Sequence, residues 1–279
     1  EDLRFINIHY YAAAATLYGS EVMGGYHYAG ETYQMMFDHV EGFDTCDDCH
    51  EPHTLELQVN ECATCHEGTE SVEDLRDIRM AGSLIDYDGD GDTEEGIYYE
   101  LQTMEELLYA NIQAYAADVH GTPIIHADAY PYFFIDSNGD GEAGDDEAIF
   151  PNAYNAFTPA LLRASYNYQV AHKDPGGYAH NAKYHVELMY DSIAALQAEL
   201  GDGGVGVEQL NRDDPGHFDA TAEAWRHWDE DGEVSGRCSK CHTAEGMPFF
   251  VEHGVNIAME PSDEMECSTC HNDLAEFTV

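Results

Sequence analysis

Basic residues are scarce in this chain of 279 residues. Lys and Arg together number 10 against 56 Asp and Glu, a formal net charge of −46 with His neutral. A chain this acidic is repelled by a phosphate backbone and has no basic cluster to displace counterions, which excludes nucleic-acid binding. Anionic membrane surfaces are disfavoured for the same reason. Long apolar runs are also missing. None approaches the roughly 18–20 residues that a helical span requires, so no membrane span is expected.

Cysteine is present, eight times, and every one falls in the same unit. The units are Cys46-Asp-Asp-Cys49-His50, Cys62-Ala-Thr-Cys65-His66, Cys238-Ser-Lys-Cys241-His242 and Cys267-Ser-Thr-Cys270-His271. C-x-x-C-H is the attachment signature of c-type haem: two thiols on one turn form thioethers to one porphyrin, and the following His lies under the iron. A single such unit also suits a redox dithiol or half a zinc site. Four repeats that consume all the cysteines favour four haems c. Covalent haem attachment takes place outside the cytoplasm, so an extracellular or cell-surface location is expected. Residue 1 is Glu, which reads as a processed form or a fragment.

His50, His66, His242 and His271 supply one axial ligand each, and sixteen His in total leave twelve more. An iron closed on both faces by imidazole moves electrons and has no open position for substrate. Distal candidates are His9, His39, His53, His180, His217 and His227. His53 follows His50 by three residues, His39 precedes Cys46, and His217 and His227 flank a short helical stretch ahead of Cys238. His9 precedes the run Ala12–Ala15, a helix with a thin side that would let a flat porphyrin approach. His180 opens a helical stretch over 181–200. His27, His120, His126, His172, His185 and His253 read better as structural. Six candidates for four irons leave a surplus.

The motif pairs lie near the two ends, and residues 67–237 hold no cysteine. The expected fold is mainly α, with much irregular structure and a few short β-hairpins. Two dihaem lobes, 1–66 and 201–279, would flank a haem-free helical middle, 67–200, and the porphyrins would supply much of the core. Helices are predicted over 101–120, 157–170 with Thr158 as cap and Pro159 at its first position, and 184–200. Residues 54–60 alternate like a strand, residues 25–33 suit a hairpin around Ala29-Gly30, and residues 130–135 read as extended.

Two acidic loops stand out in the middle. Asp136, Asn138, Asp140, Glu142 and Glu147 occupy the ligand positions of a twelve-residue calcium loop, with Gly141 at its sharp turn. Asp86, Asp88, Asp90 and Asp92 fit the first half of another. Ile97 stands at its last position, so Glu94 or Glu95 is expected to complete the shell. One or two structural calcium ions in lone loops, rather than paired EF-hands, are the expectation.

The four haem units, Ile8-His9-Tyr10-Tyr11 before the Ala run, Cys49-His50-Glu51-Pro52-His53, and Arg226-His227-Trp228 ahead of Cys238 resemble extracellular multihaem c-type cytochromes. That family includes surface electron conduits and cytochrome filaments. The resemblance implies six-coordinate bis-His haems in stacked and T-shaped contact. In filament members a His from one subunit ligates a haem of the next, which would absorb surplus candidates such as His9. The long calcium-bearing insertion departs from small tetrahaem members. The function expected is extracytoplasmic electron transfer without catalysis. The partners would be other multihaem cytochromes, copies of this chain in a homopolymer, or an extracellular electron donor or acceptor. The alternative is a multihaem oxidoreductase with one open haem site, reducing a nitrogen or sulfur oxyanion. Four unmodified motifs and a surface that repels anions favour the conduit. A monomeric shuttle and a polymer both fit, and haem pairs at the two ends favour the polymer.

Overall fold

The computed structural model describes residues 3–8, 12–37, 39, 43, 45–64, 66, 68–79, 85–201 and 206–213, with the backbone of 233–234 and 256–257. The chain divides into two units. Unit one comprises Glu1–Phe37, Asp86–Asp92 and Tyr98–Asp213; unit two comprises Asp38–Ile85, Thr93–Ile97 and Asp214–Val279.

Unit one is mostly helical. In chain order it contains α1 (Ala13–Tyr18), α5 (Ile97–Ala114), the antiparallel pair β1 (Ile124–His126) and β2 (Phe133–Ile135), α6 (Pro159–His172), α7 (Gly177–His180) and α8 (Ala182–Leu200). Unit two contributes α2 (Cys46–Cys49), α3 (Val59–Cys62) and α4 (Val72–Leu75), and the short parallel pair β3 (Glu233–Val234) and β4 (Asn256–Ile257).

The helices of unit one follow their apolar spacing. Leu101, Met104, Leu108 and Ile112 recur at three and four residues on α5 and are buried, and the helix ends in a π turn, Tyr115–Val119. On α6, Thr158 Oγ1 accepts the Leu161 N–H at 3.1 Å with Pro159 next to it, the start that the sequence predicts. The α8 face Leu188, Met189, Ile193 and Leu196 is buried. Asn181 caps that helix through the Tyr184 N–H at 3.2 Å.

Residues 12–37, grouped by sequence with the first haem motifs, instead strap across α6 and α8. The Gly25 N–H donates to Tyr184 Oη at 2.8 Å. Asn167 Oδ1 accepts the Tyr26 N–H at 2.6 Å, and its Nδ2 donates to the Tyr26 carbonyl at 3.0 Å and to Ser192 Oγ at 2.9 Å. A Cβ on Gly25 would lie 2.4 Å from Leu188, so only glycine allows this approach. Ala12, at the start of the alanine run, is buried with Val170, Tyr184 and Leu188 and seats the entry to α1 on the helix pair, whereas Ala14 is exposed.

Two other expectations change. Residues 54–60 form no strand: after a turn they enter α3, leaving one isolated bridge between His50 and Leu57. Residues 25–33 turn at Ala29-Gly30 without a ladder, because their backbone groups are spent on Tyr184, Asn167 and Tyr33 side chains. The extended reading of 130–135 is met in its second half by β2.

Asn167→Ala strips partners from the Tyr26 backbone and is expected to cost about 2–4 kcal/mol. Urea unfolding and faster amide exchange at Tyr26 measure this; exchange unchanged at that amide would refute the strap. Burial pushes Glu187 up to about 7 from its ordinary 4.5. A carboxyl raised on folding stabilises fully below its unfolded value and loses that contribution as pH rises through about 7. Glu187→Gln is therefore expected to gain melting temperature relative to the parent between pH 5 and 7.5; a difference independent of pH would contradict this.

Candidate functional site

Unit two carries the first two cysteine motifs. Thr45 donates its N–H and Oγ1–H to Asp48 Oδ2 at 2.8 and 2.6 Å, which opens α2. The His50 N–H donates to the Cys46 carbonyl at 2.8 Å, and the His66 N–H to the Cys62 carbonyl at 2.9 Å. Both motifs thus close the same single turn from first cysteine to histidine. Paired thioethers and a proximal imidazole on one porphyrin need that compactness.

After His50 the chain doubles back. The Gln58 N–H donates to the Cys49 carbonyl and the Glu51 N–H to the Glu56 carbonyl, both at 2.9 Å. Leu55 takes a left-handed conformation, φ 61°, which costs a residue with a Cβ on the order of 1 kcal/mol or more. Its carbonyl lies 3.0 Å from His50 Nδ1. With Nδ1–H donating there, the lone pair sits on Nε2, and the ring is oriented as a metal ligand requires.

Cys46, Cys49 and Cys62 take part in no disulfide among the described residues. Burial pushes both Cys49 and Cys62 up, and Cys62 adds to the shift of Cys49. The His39 and His66 ring centres are 6.0 Å apart with planes at 57°. Two imidazoles held at about 2 Å on opposite faces of one metal have ring centres about 6 Å apart. Desolvation first, and the charge of His66 second, lower the pKa of His39, which nevertheless keeps exposed surface. Among the described residues of unit two, Leu75 is the one large apolar side chain that is buried.

The acidic loops lie in unit one. In the second, Asp136 accepts the Gly139 and Gly141 N–H groups at 2.6 and 3.0 Å. Asn138 Oδ1 accepts the Asp140 N–H at 2.8 Å, Asp140 Oδ1 accepts the Glu142 N–H at 2.9 Å, and Glu147 Oε1 accepts the Ser137 and Asn138 N–H groups at 2.6 and 3.1 Å. The first loop repeats this bond for bond. Asp86 accepts from Gly89 and Gly91 at 2.6 and 2.9 Å, Asp88 from Asp90 at 3.1 Å, and Asp90 from Asp92 at 2.7 Å. The role of Glu147 passes to Glu100, whose Oε2 accepts the Tyr87 and Asp88 N–H groups at 2.7 and 3.0 Å. Sequence reading passed over Glu100, because it lies three residues past the twelfth position, on α5. The signal was an acid in the first turn of a helix that follows the loop directly.

Ligand oxygens of Asp136, Asp140 and Glu147 lie within 4.8 Å of one another, as do those of Asp86, Asp88 and Glu100. Asp88 is buried, its Oδ2 has no hydrogen-bond partner, and burial pushes it up to about 6. An acceptor-only atom buried among carboxylates fits a hard cation. The second loop lies between β2 and the 3-10 turn Phe150–Asn152, a lone loop without EF-hand flanks.

The other candidate histidines are dispersed. His53 is 91% exposed beside Glu51, 3.4 Å away. His180, on α7 in unit one, has its Nδ1 2.7 Å from Asp174 Oδ1. Of those read as structural, His27 bonds Tyr184 at 2.8 Å and His185 bonds Thr16 at 3.0 Å. His126 bonds Gln169 at 2.8 Å, and burial pushes it down to about 4. His9, Cys65, His217, His227, His253, Cys238, Cys241, His242, Cys267, Cys270 and His271 lie outside the described residues.

Comparison with known proteins bears on the cofactor. The C-type polyheme cytochrome OmcC of Geobacter sulfurreducens strain PCA is 29% identical over 227 residues, covering 68% of this chain and 26% of that protein. The C-type polyheme cytochrome OmcB of the same organism, in strains DL-1 and PCA, is 31% identical over 209 residues, covering 68% of this chain and 27% of that protein. The chain is similar to polyhaem c-type cytochromes. It spans about a quarter of the length of the curated relatives it matches. No protein-family model matches it, and no solved structure does. Among the described residues, no helix is long and apolar enough to cross a membrane.

Proposed function

We propose that this chain transfers electrons outside the cytoplasm through four covalently bound c-type haems, each closed by two imidazoles, with two calcium ions bracing unit one. The observation that carries this reading is the pair of identically closed cysteine–histidine turns, taken with similarity to polyhaem cytochromes over 68% of the chain. Haem c, when bound, supplies a reversible one-electron couple.

The residues' tasks follow. Cys46 and Cys49, and Cys62 with Cys65, tether the group; Cys238 with Cys241 and Cys267 with Cys270 do the same at the other two motifs. His50, oriented by the Leu55 carbonyl, His66, His242 and His271 hold the proximal side. His39, whose ring centre is 6.0 Å from that of His66, would give the second imidazole to the haem that His66 holds. Two imidazoles leave no position for substrate, so charge passes without a bond being made or broken. The surrounding carboxylates favour the more positive, oxidised state and hold the potential low. Other multihaem cytochromes, copies of this chain, or an extracellular donor or acceptor serve as partners.

The pyridine haemochrome assay is expected to give four haems per chain, and electron paramagnetic resonance of the oxidised protein only low-spin iron. His39→Ala is expected to convert one of the four to a high-spin, carbon-monoxide-binding centre. A high-spin signal in the parent would instead favour an oxidoreductase with an open site. His39→Ala with an unchanged spectrum would remove His39 as a ligand.

For calcium, Glu100→Gln and Glu147→Gln are each expected to lower the melting temperature in calcium buffer and to shrink its rise on calcium addition. Each takes one charged ligand from one loop, and together they abolish the rise. A parent whose melting temperature ignores both calcium and chelator refutes the sites.

A further inference from the structure

We propose that His126, Asp128 and His172 form a binding site for a borderline divalent transition-metal ion, separate from the haem motifs and the calcium loops. One ring nitrogen of each histidine and a carboxylate oxygen of Asp128 lie within 4.8 Å of one another. His172 Nε2 is 3.0 Å from Asp128 Oδ1, a separation that two donors on one metal also have. The two imidazole centres are 4.9 Å apart with planes at 77°. Imidazoles bound at about 2 Å and at a tetrahedral angle to one metal have ring centres about 5 Å apart. His39 and His66, at 6.0 Å, have the longer separation of ligands on opposite faces.

The supporting groups point the same way. His172 Nδ1 is 2.7 Å from Glu105 Oε1, so one carboxylate orients the ring from behind while Asp128 faces its other nitrogen. A carboxylate behind a ligating imidazole fixes its tautomer and raises its basicity. His126 is fixed in turn by Gln169 Oε1, 2.8 Å from its Nε2, and by its backbone N–H, which donates to Tyr109 Oη at 2.9 Å. His126 ends β1 and His172 ends α6, so two regular elements set the geometry. The Asp128 side chain is 79% exposed and that of His172 30%, so the site opens to solvent. Among the described residues, Lys173 bears on the site electrostatically, its ammonium 4.9 Å from the Tyr132 ring centre. Glu105 and Asp128 offset it with two negative charges. Two imidazoles and one carboxylate suit zinc or its neighbours in the first transition row, in contrast to the all-oxygen loops.

The test is calorimetric titration of zinc chloride into the purified, haem-loaded chain in excess calcium, which fills the oxygen loops. The parent is expected to bind one zinc per chain more than Asp128→Ala. Glu105→Gln is expected to weaken that zinc by about 10- to 100-fold. Asp128 is exposed, so its loss spares the fold, which circular dichroism checks. Absorption fine structure at the zinc edge is expected to show two imidazole nitrogens. Absent zinc uptake, equal uptake and affinity in parent and Asp128→Ala, or an oxygen-only shell would each overturn the proposal.

Discussion

Carboxylates turned inward set the terms for unit one. Asp88, Glu100, Asp136 and Glu147 are all buried in a chain whose acids outnumber its bases by 56 to 10. Two unit charges within 4.8 Å repel by about 3 kcal/mol or more at an effective dielectric near 20. Backbone amides answer part of this cost: each of the two glutamates accepts two successive N–H groups. Those donors leave oxygens such as Asp88 Oδ2 without protein partners. In the two loops, the donors to Asp86 and Asp136 are backbone N–H groups. One helix connects them, since α5 gives Glu100 from its first turn to one loop and bonds the Gly141 carbonyl of the other through Gln113 at 2.8 Å. The first loop also holds the segment after α8, where Asn211 donates to the carbonyls of Tyr87 and Asp86 at 3.1 and 2.6 Å. Gly89 passes so near Gln209 that a Cβ would lie 2.5 Å from its carbonyl.

Unit two answers a different constraint. Its described turns satisfy their backbone groups locally, through Thr45 with Asp48, Ser71 with Asp74, and the doubling back of residues 50–58. Hydrogen bonds of that kind contribute about 1 kcal/mol each and do not replace an apolar core. The left-handed Leu55 shows what the local structure spends its strain on, namely a carbonyl aimed at His50 Nδ1. The described parts of the two units rest on different supports, packed helices with hydrogen-bonded acidic loops in one and locally bonded turns in the other.

Legibility in the sequence followed how local the cause was. The α6 start at Thr158-Pro159, the periodic faces of α5 and α8, the compact cysteine turns and the Asp136 loop depend on residues at most a dozen apart, and pattern alone located them. Glu100 was missed because the loop's closing carboxylate came from the next element, outside the fixed twelve-residue frame. The Ala12–Ala15 run was legible as a helix but not as to what it faces. Ala12 packs on Val170, Tyr184 and Leu188, more than a hundred residues away, and a small residue suits a helix pair as well as a porphyrin. Residues 54–60 alternate like a strand, yet had no partner edge among the described residues beyond one bridge.

The surplus of imidazoles also finds its cause in composition. A chain this short of Lys and Arg has few side-chain cations to place against buried acids. Arg212, held by Asp191 at 2.9 and 3.0 Å and lying 5.3 Å from the Tyr33 ring, is one it does commit. Elsewhere histidine takes the part: His180 on Asp174, His172 between Glu105 and Asp128, His53 beside Glu51. Imidazole serves there because it donates a hydrogen bond whether charged or neutral. Burial raises Asp174, but the bond and charge of His180 outweigh it and the net shift is downward. Several histidines of this acidic chain thus serve as hydrogen-bond donors to carboxylates. Their surroundings differ: ring centres 6.0 Å apart for His39 and His66, 4.9 Å apart for His126 and His172, and the Asp174 carboxylate against His180.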